Sequence, residues 1–92
     1  MAVTLHIPTP LRAFTEKQPS VQVEAGTVGE ALNQLTTRFP GLAKHLRGPD
    51  GRIRSFVNVY LGEEDIRFLQ QEATPTKDGA EITIVPSIAG GA

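Results

Sequence analysis

The sequence predicts an α+β roll, with one helix laid across one face of a small mixed sheet. Three observations lead there. Near the start, Val3, Leu5 and Ile7 alternate with Thr4 and His6, and near the end Ile82 and Ile84 alternate with Thr83 and Val85; this is the period-2 pattern of half-buried strands. Between them, Val28, Ala31, Leu32, Leu35 and Phe39 fall at i, i+3, i+4, i+7 and i+11, a single apolar stripe on a helix. The elements then read strand, strand, helix, strand, short strand, strand. One stripe covers one face of such a sheet and leaves the opposite face to solvent or to a partner.

Each element has a local reason. The first strand ends at Pro8, which has no N–H to give to a ladder. Pro8-Thr9-Pro10 is extended or turning, because a residue before proline is pushed out of the helical region, and Leu11 to Lys17 is a poorly patterned connection. Ser20 to Glu24 carries Val21 and Val23 on one face and, being close in sequence, pairs antiparallel with the first strand. Thr27 with Glu30 three residues on forms a capping box, in which hydroxyl and carboxylate satisfy two otherwise orphaned backbone donors. Pro40-Gly41 stops the helix, and Leu42, Ala43 and Leu46 suggest one further short turn packed inward. Arg47 to Arg52 is a turn by its chemistry. Ile53 to Leu61 reads as the longest strand, with Ile53, Ser55, Val57, Val59 and Leu61 on one face and Arg54, Phe56, Asn58 and Tyr60 on the other. Gly62 to Asp65 is an acidic turn, Ile66 to Phe68 a short strand returning against the long one, and Leu69 to Thr76 irregular. Lys77-Asp78-Gly79 launches the last strand, and Pro86 ends its ladder. Residues 1–86 form the folded domain. Residues 87–92, ending in Gly90-Gly91-Ala92, form a flexible tail, since glycines bury nothing and have the most conformational freedom to lose.

Composition narrows the function. With 92 residues, the chain makes one domain that buries roughly 60–65% of its unfolded surface. A net charge of −1 with both signs dispersed offers no basic stripe for nucleic acid. No apolar run approaches the ~20 residues of a membrane span. The start of the chain lacks the regions of a secretory signal and there are no cysteines, which together point to the cytoplasm. The same lack of cysteine removes disulfides, thiolate metal sites and a cysteine nucleophile. His6 and His45 have no second ligand at metal spacing. Glu63, Glu64 and Asp65 read as a solvated acidic turn rather than a calcium loop. No phosphate-binding glycine loop is present, and Ser20, Ser55 and Ser87 have no evident base partner. The chain therefore reads as a non-enzyme with no metal site and no bound cofactor. Phe56 and Tyr60, outward-facing aromatics, suit a partner interface, because aromatics are enriched at interface hot spots. Val85, Pro86 and Ile88 extend it.

The terminal stretch Asp78-Gly79-Ala80-Glu81-Ile82-Thr83-Ile84-Val85-Pro86, running into Ile88-Ala89-Gly90-Gly91, resembles the ubiquitin-like sulfur carriers of the ThiS/MoaD superfamily, as does the order of elements. The segment Phe56 to Phe68 is more similar to the cysteine-synthesis (CysO-like) carriers than to the shorter thiamine carriers. The resemblance covers nearly the whole chain and implies a β-grasp fold with the first and last strands parallel at the sheet centre. It also implies a chemistry. An E1-like enzyme uses ATP to adenylate the C-terminal glycine carboxylate, here Gly91, and a sulfur donor displaces AMP to leave a thiocarboxylate. A sulfur-accepting synthase, with cysteine biosynthesis as its destination, then takes the sulfur. Ala92 departs from the family's Gly-Gly ending, so Gly91 becomes terminal only after Ala92 is trimmed, by a metalloprotease of the kind that acts on cysteine-synthesis carriers. The same tail would serve a molybdopterin or thiamine carrier, or a ubiquitin-like modifier conjugated through Gly91.

Overall fold

The two ends of the folded chain lie side by side in the middle of one sheet. The computed structural model describes residues 2–54 and 57–86. Its strands are β1 (Ala2–His6), β2 (Ser20–Glu24), β3 (Val57–Leu61), β4 (Glu64–Asp65) and β5 (Ala80–Pro86), and its α-helices are α1 (Val28–Arg38) and α2 (Ala43–Leu46). The sheet order is β2-β1-β5-β3-β4. β1 and β5 are parallel, with Leu5 opposite Ile82 and His6 opposite Thr83. β1 pairs antiparallel with β2, and β3 antiparallel with β5 from Val57↔Pro86 to Leu61↔Ile82.

The alternation of each strand sorts its side chains onto two faces. Val3, Leu5, Val21, Val23, Val57, Val59, Ile82 and Ile84 are buried, and so are all five members of the helical stripe from Val28 to Phe39. The helix stripe and the strand face therefore share one core, as the sequence predicts. Leu42 and Leu46 close it at one end. No helix among the described residues is long and apolar enough to cross a membrane.

The start of α1 is tied down more thoroughly than a capping box requires. The Glu30 N–H donates to Thr27 Oγ1 at 3.2 Å. The Glu30 carboxylate, however, accepts from the Gly26 N–H at 2.8 Å, one residue before the cap rather than at it. The Val28 N–H donates to Thr74 O at 3.0 Å, so another orphaned donor is met from a distant segment. Thr76 reinforces the junction, its N–H reaching Gly26 O at 2.9 Å and its buried hydroxyl reaching Ala25 O at 2.8 Å. The stretch predicted as irregular before β5 is thus stitched to the helix N-terminus, and Gln71–Ala73 within it forms a 3-10 turn. Gly29 permits this closeness: a Cβ there would stand 3.1 Å from both the backbone oxygen and the Cβ of Glu72.

Three expectations need correction. Thr9–Phe14, predicted as extended or turning through Pro10 and as a poorly patterned connection from Leu11, forms a 3-10 helix, with Pro10 in its first turn and Leu11 turned into the core. The predicted long strand from Ile53 is shorter. Ile53 makes only an isolated bridge with Arg47, and the Arg54 N–H donates to Leu46 O at 2.9 Å, so this backbone is held by the end of α2 rather than by β5. Ser55 and Phe56 lie outside the described residues, and β5, with seven residues, is the longest strand described. Finally, β4 consists of Glu64–Asp65, whereas Ile66–Phe68 is a 3-10 turn. A strand would put Ile66 and Phe68 on the same face, but Ile66 is 3% exposed and Phe68 85%. Asp65 makes the turn by accepting the Arg67 N–H on its side chain at 2.9 Å, a local bond that competes with extended structure.

Two substitutions test the packing. Leu32→Ala should lower unfolding free energy by roughly 2–5 kcal/mol, as for other buried leucines, and Gly29→Val by about 1–3 kcal/mol through overpacking against Glu72. Urea denaturation of each variant beside the parent protein measures both.

Candidate functional site

The helix covers one face of the sheet, and the other face carries the candidate site. The pairings lay out a row across it: Ser20 opposite His6, His6 opposite Thr83, Thr83 opposite Tyr60 and Tyr60 opposite Asp65. In the next row Val85 stands opposite Asn58. Tyr60 is half-buried and Val85 is 41% exposed. They are diagonal neighbours on adjoining strands, within reach of one another for a large side chain. Pro86, half-buried and opposite Val57, marks the end of β5. Of the residues predicted to form an interface, Tyr60 and Val85 are therefore brought together on the open face, whereas Pro86, opposite the buried Val57, lies on the helix side of the sheet at the strand's end. Phe56 and Ile88 lie outside the described residues, as do Gly90, Gly91 and Ala92, and with them the predicted boundary of domain and tail.

Polar residues surround this apolar pair. His6 Nε2 and Glu81 Oε1 lie 2.6 Å apart, joining neighbouring central strands on the open face. Arg67 donates from Nη2 to Asn58 Oδ1, and its Nε lies 3.6 Å from Asp65 Oδ1. The acidic turn is thus divided: Glu63 and Glu64 are exposed, while Asp65 is occupied by Arg67. Among the described residues no group of three histidines or carboxylates could hold a metal ion. Ser20 does find a histidine opposite it, which the sequence reading missed because the register was unknown. No hydrogen bond joins the two among the described residues. The His45 ring packs against Phe14, tilted by 36° with 4.4 Å between ring centres, and its Nε2 is enclosed with no partner among the described residues.

Two features escaped the sequence reading. Phe68 and Leu69 add exposed apolar surface after β4, where a strand was expected. The signal was present in Asp65, a side chain of the type that caps a turn. The other is Arg47, placed at the start of a turn with no partner foreseen for its side chain. Its guanidinium donates to Gly51 O at 2.8 Å, Asn33 Oδ1 at 3.1 Å and Glu72 Oε1 at 2.7 Å. It joins α1, the end of α2 and the segment before β5, with its side chain 17% exposed.

Known proteins share this arrangement. The model of the ThiS family matches residues 5–91, a span that includes both Gly90 and Gly91. The chain is 40% identical over 93 residues to the protein of Mycobacterium tuberculosis named sulfur carrier protein CysO, covering 99% of this chain and 100% of that one. It is 35% identical over 65 residues to small archaeal modifier protein 3 of Haloferax volcanii, covering 71% of this chain and 70% of that one. Among solved structures, a chain of the Amycolatopsis orientalis BexX/CysO complex superposes with a TM-score of 0.88 at 37% identity, covering 97% of this chain and 99% of that one. The parallel centre, the antiparallel flanks and the single long helix are the ubiquitin-like β-grasp fold. On the extent of the family match and the near-full-length kinship, this chain belongs to the ThiS family.

Proposed function

We propose that this protein carries sulfur as a thiocarboxylate on Gly91, for delivery to a synthase that makes cysteine. The observation that carries the reading is the 40% identity, end to end, with a protein named as a sulfur carrier, in a chain whose sequence holds Gly90-Gly91 beyond its last strand. The chemistry needs no side chain of this protein as catalyst. A carboxylate is a poor electrophile until one oxygen belongs to a good leaving group. Attack of the Gly91 carboxylate on ATP, in the site of an E1-like activating enzyme, gives the acyl adenylate and releases pyrophosphate. A sulfur donor then displaces AMP and leaves the thiocarboxylate. Its ionised sulfur is a nucleophile at neutral pH by the logic of a thiolate. Glycine suits the position, because no Cβ obstructs a narrow enzyme channel. Gly91 becomes the terminus after a metalloprotease removes Ala92.

Tyr60, Val85 and Pro86, with Phe56 and Ile88 beside them in sequence, supply the surface that the activating enzyme grips. A mixed polar and apolar face of this kind fits a partner that must release its cargo, since non-obligate interfaces are about as apolar as ordinary surface. The kinship with an archaeal modifier favours a second reading, in which Gly91 is joined to lysines of other proteins. Molybdopterin and thiamine synthesis remain alternative destinations for the same sulfur.

Intact mass of the protein from its own cells, under conditions that preserve thioacids, tests the reading. The expected species lacks the alanine residue and has sulfur in place of one oxygen. An unmodified chain ending at Ala92 under high sulfur demand would overturn it, and isopeptide-linked adducts would establish the modifier. Gly91→Val should keep the parent's unfolding midpoint yet fail to accumulate thiocarboxylate. Val85→Asp should also fold normally and weaken the activating enzyme's grip by roughly tenfold, the ~1.4 kcal/mol of a modest interface residue, read as a rise in KM for adenylation.

A further inference from the structure

A cavity of about 700 Å³ opens between β3 and the segment that follows β4, within the size range of ligand sites. Val57, Val59 and Ile66 form its floor and belong to the hydrophobic core. Arg52, Arg54 and Arg67 stand in its wall; Arg67 is partnered by Asp65 and Asn58, and the one lining carboxylate, Glu72, is already paired with Arg47 at 2.7 Å. A chain of net charge −1 thus gathers positive charge around one concavity, where low-dielectric walls focus the field. Arg54 is steadied by its Nε–H bond to Lys44 O at 2.8 Å. Arg52 is exposed, and its side chain has no partner among the described residues.

The opposite wall is built to hold its shape. Gln71, which lines the cavity, keeps a left-handed φ of 52°, a conformation costly for a residue with a Cβ. The Gln70 N–H donates to Thr74 Oγ1 at 3.0 Å, and Glu72 sits against Gly29 of the helix. Phe68, 85% exposed, lies in sequence between the lining residues Arg67 and Leu69. It adds apolar surface that a small anion would leave uncovered.

We propose that this cavity seats an acidic, partly apolar peptide segment of the protein that acts on the C-terminus. Its apolar side chains would lie on Ile66 and Leu69 and a carboxylate on Arg52, with the charge of Arg54 and Arg67 beside it. Val57 supplies the link: it lines the cavity and stands opposite Pro86, so a segment held here is beside the point where β5 ends. The proposal rests on the carrier reading for the identity of the partner.

Amide shifts of the full chain report on it. The probe is a ten-residue peptide of alternating leucine and glutamate, set against one of alternating leucine and lysine, inorganic phosphate and ATP. The acidic peptide should shift Ile53, Val59, Ile66 and Gln71 and leave Val21 and Val23 in place. Arg52→Glu should weaken it at least tenfold with an unchanged unfolding midpoint, and Arg52→Ala should weaken it less. Absence of those shifts, equal binding of the lysine peptide, or displacement by ATP or phosphate at matching affinity would overturn the proposal. Thiocarboxylate formation, followed separately by mass, keeps the two ideas apart. Thiocarboxylate without peptide binding sinks the cavity proposal alone. Peptide binding without thiocarboxylate sinks the carrier reading and leaves a peptide site.

Discussion

The parallel pairing of β1 with β5 is the constraint on which the other elements depend. Two strands from opposite ends of the folded chain occupy the sheet centre, and parallel neighbours require a crossover between them. Here everything from Ile7 to Gly79 is that crossover, and α1 is the part of it that returns across the sheet. Leu5 and Ile82, opposite one another, are both fully buried, so the contact that closes the longest loop is itself part of the hydrophobic core. A fold organised this way depends on non-local contacts, with their attendant closure entropy. It also has a geometric result: β1 holds the first half of the last strand, to Thr83, and β3 alone holds it from there to Pro86, where it ends.

What holds the crossover in register is polar rather than apolar. Thr74 and Thr76 are buried among hydrophobic neighbours, yet each supplies groups that the start of α1 or the turn before it would otherwise leave unmet. Buried polar groups are tolerable when satisfied and destabilising when not. This junction therefore specifies where the helix begins. Arg47 does related work at the other side of the helix, tying Asn33, Gly51 and Glu72 together. The hydrophobic stripe fixes which face of α1 is inward, while these bonds fix where along the sheet it lies.

The division also explains what was readable in the sequence. β1, β2, α1 and β5 are periodic over several residues, and the positions their patterns turn inward proved buried, because a period of 2 or 3.6 decides the face whatever the partner. Thr27 was readable as a cap because capping is local. The extent of β3 was not, since Ile53 and Arg54 could pair with β5 or with the end of α2, and only the tertiary structure decides. Ile66-Arg67-Phe68 looked like a strand because three residues are too few to display a period; the choice was made by Asp65 and by the need to bury Ile66 alone. Arg47 gave no signal, because a turn arginine in sequence does not announce partners 14 and 25 residues away. For the site, Tyr60 and Val85 were legible as outward positions and Pro86 as the end of the ladder, whereas the neighbours that make the open face polar depend on register. Gly90 and Gly91 were legible by composition and lie beyond the described residues.

The two faces near the end of β5 differ in a way that bears on carrier function. On the open face, Tyr60 and Val85 are set among Thr83, Asn58 and the His6–Glu81 pair, so any partner that buried them would have to satisfy those polar groups. Phe68 is more exposed than either, at the edge of the sheet. On the function proposed above, the protein passes between an enzyme that loads its terminus and another that unloads it, and must be released by both. Large apolar area in one place would oppose that, because slow dissociation is the usual consequence of a well-buried interface. Dividing the apolar surface between the centre of the open face and the sheet edge keeps each patch small. It also lets two partners use the same terminus while gripping the domain differently, provided both reach the point where the backbone leaves Pro86.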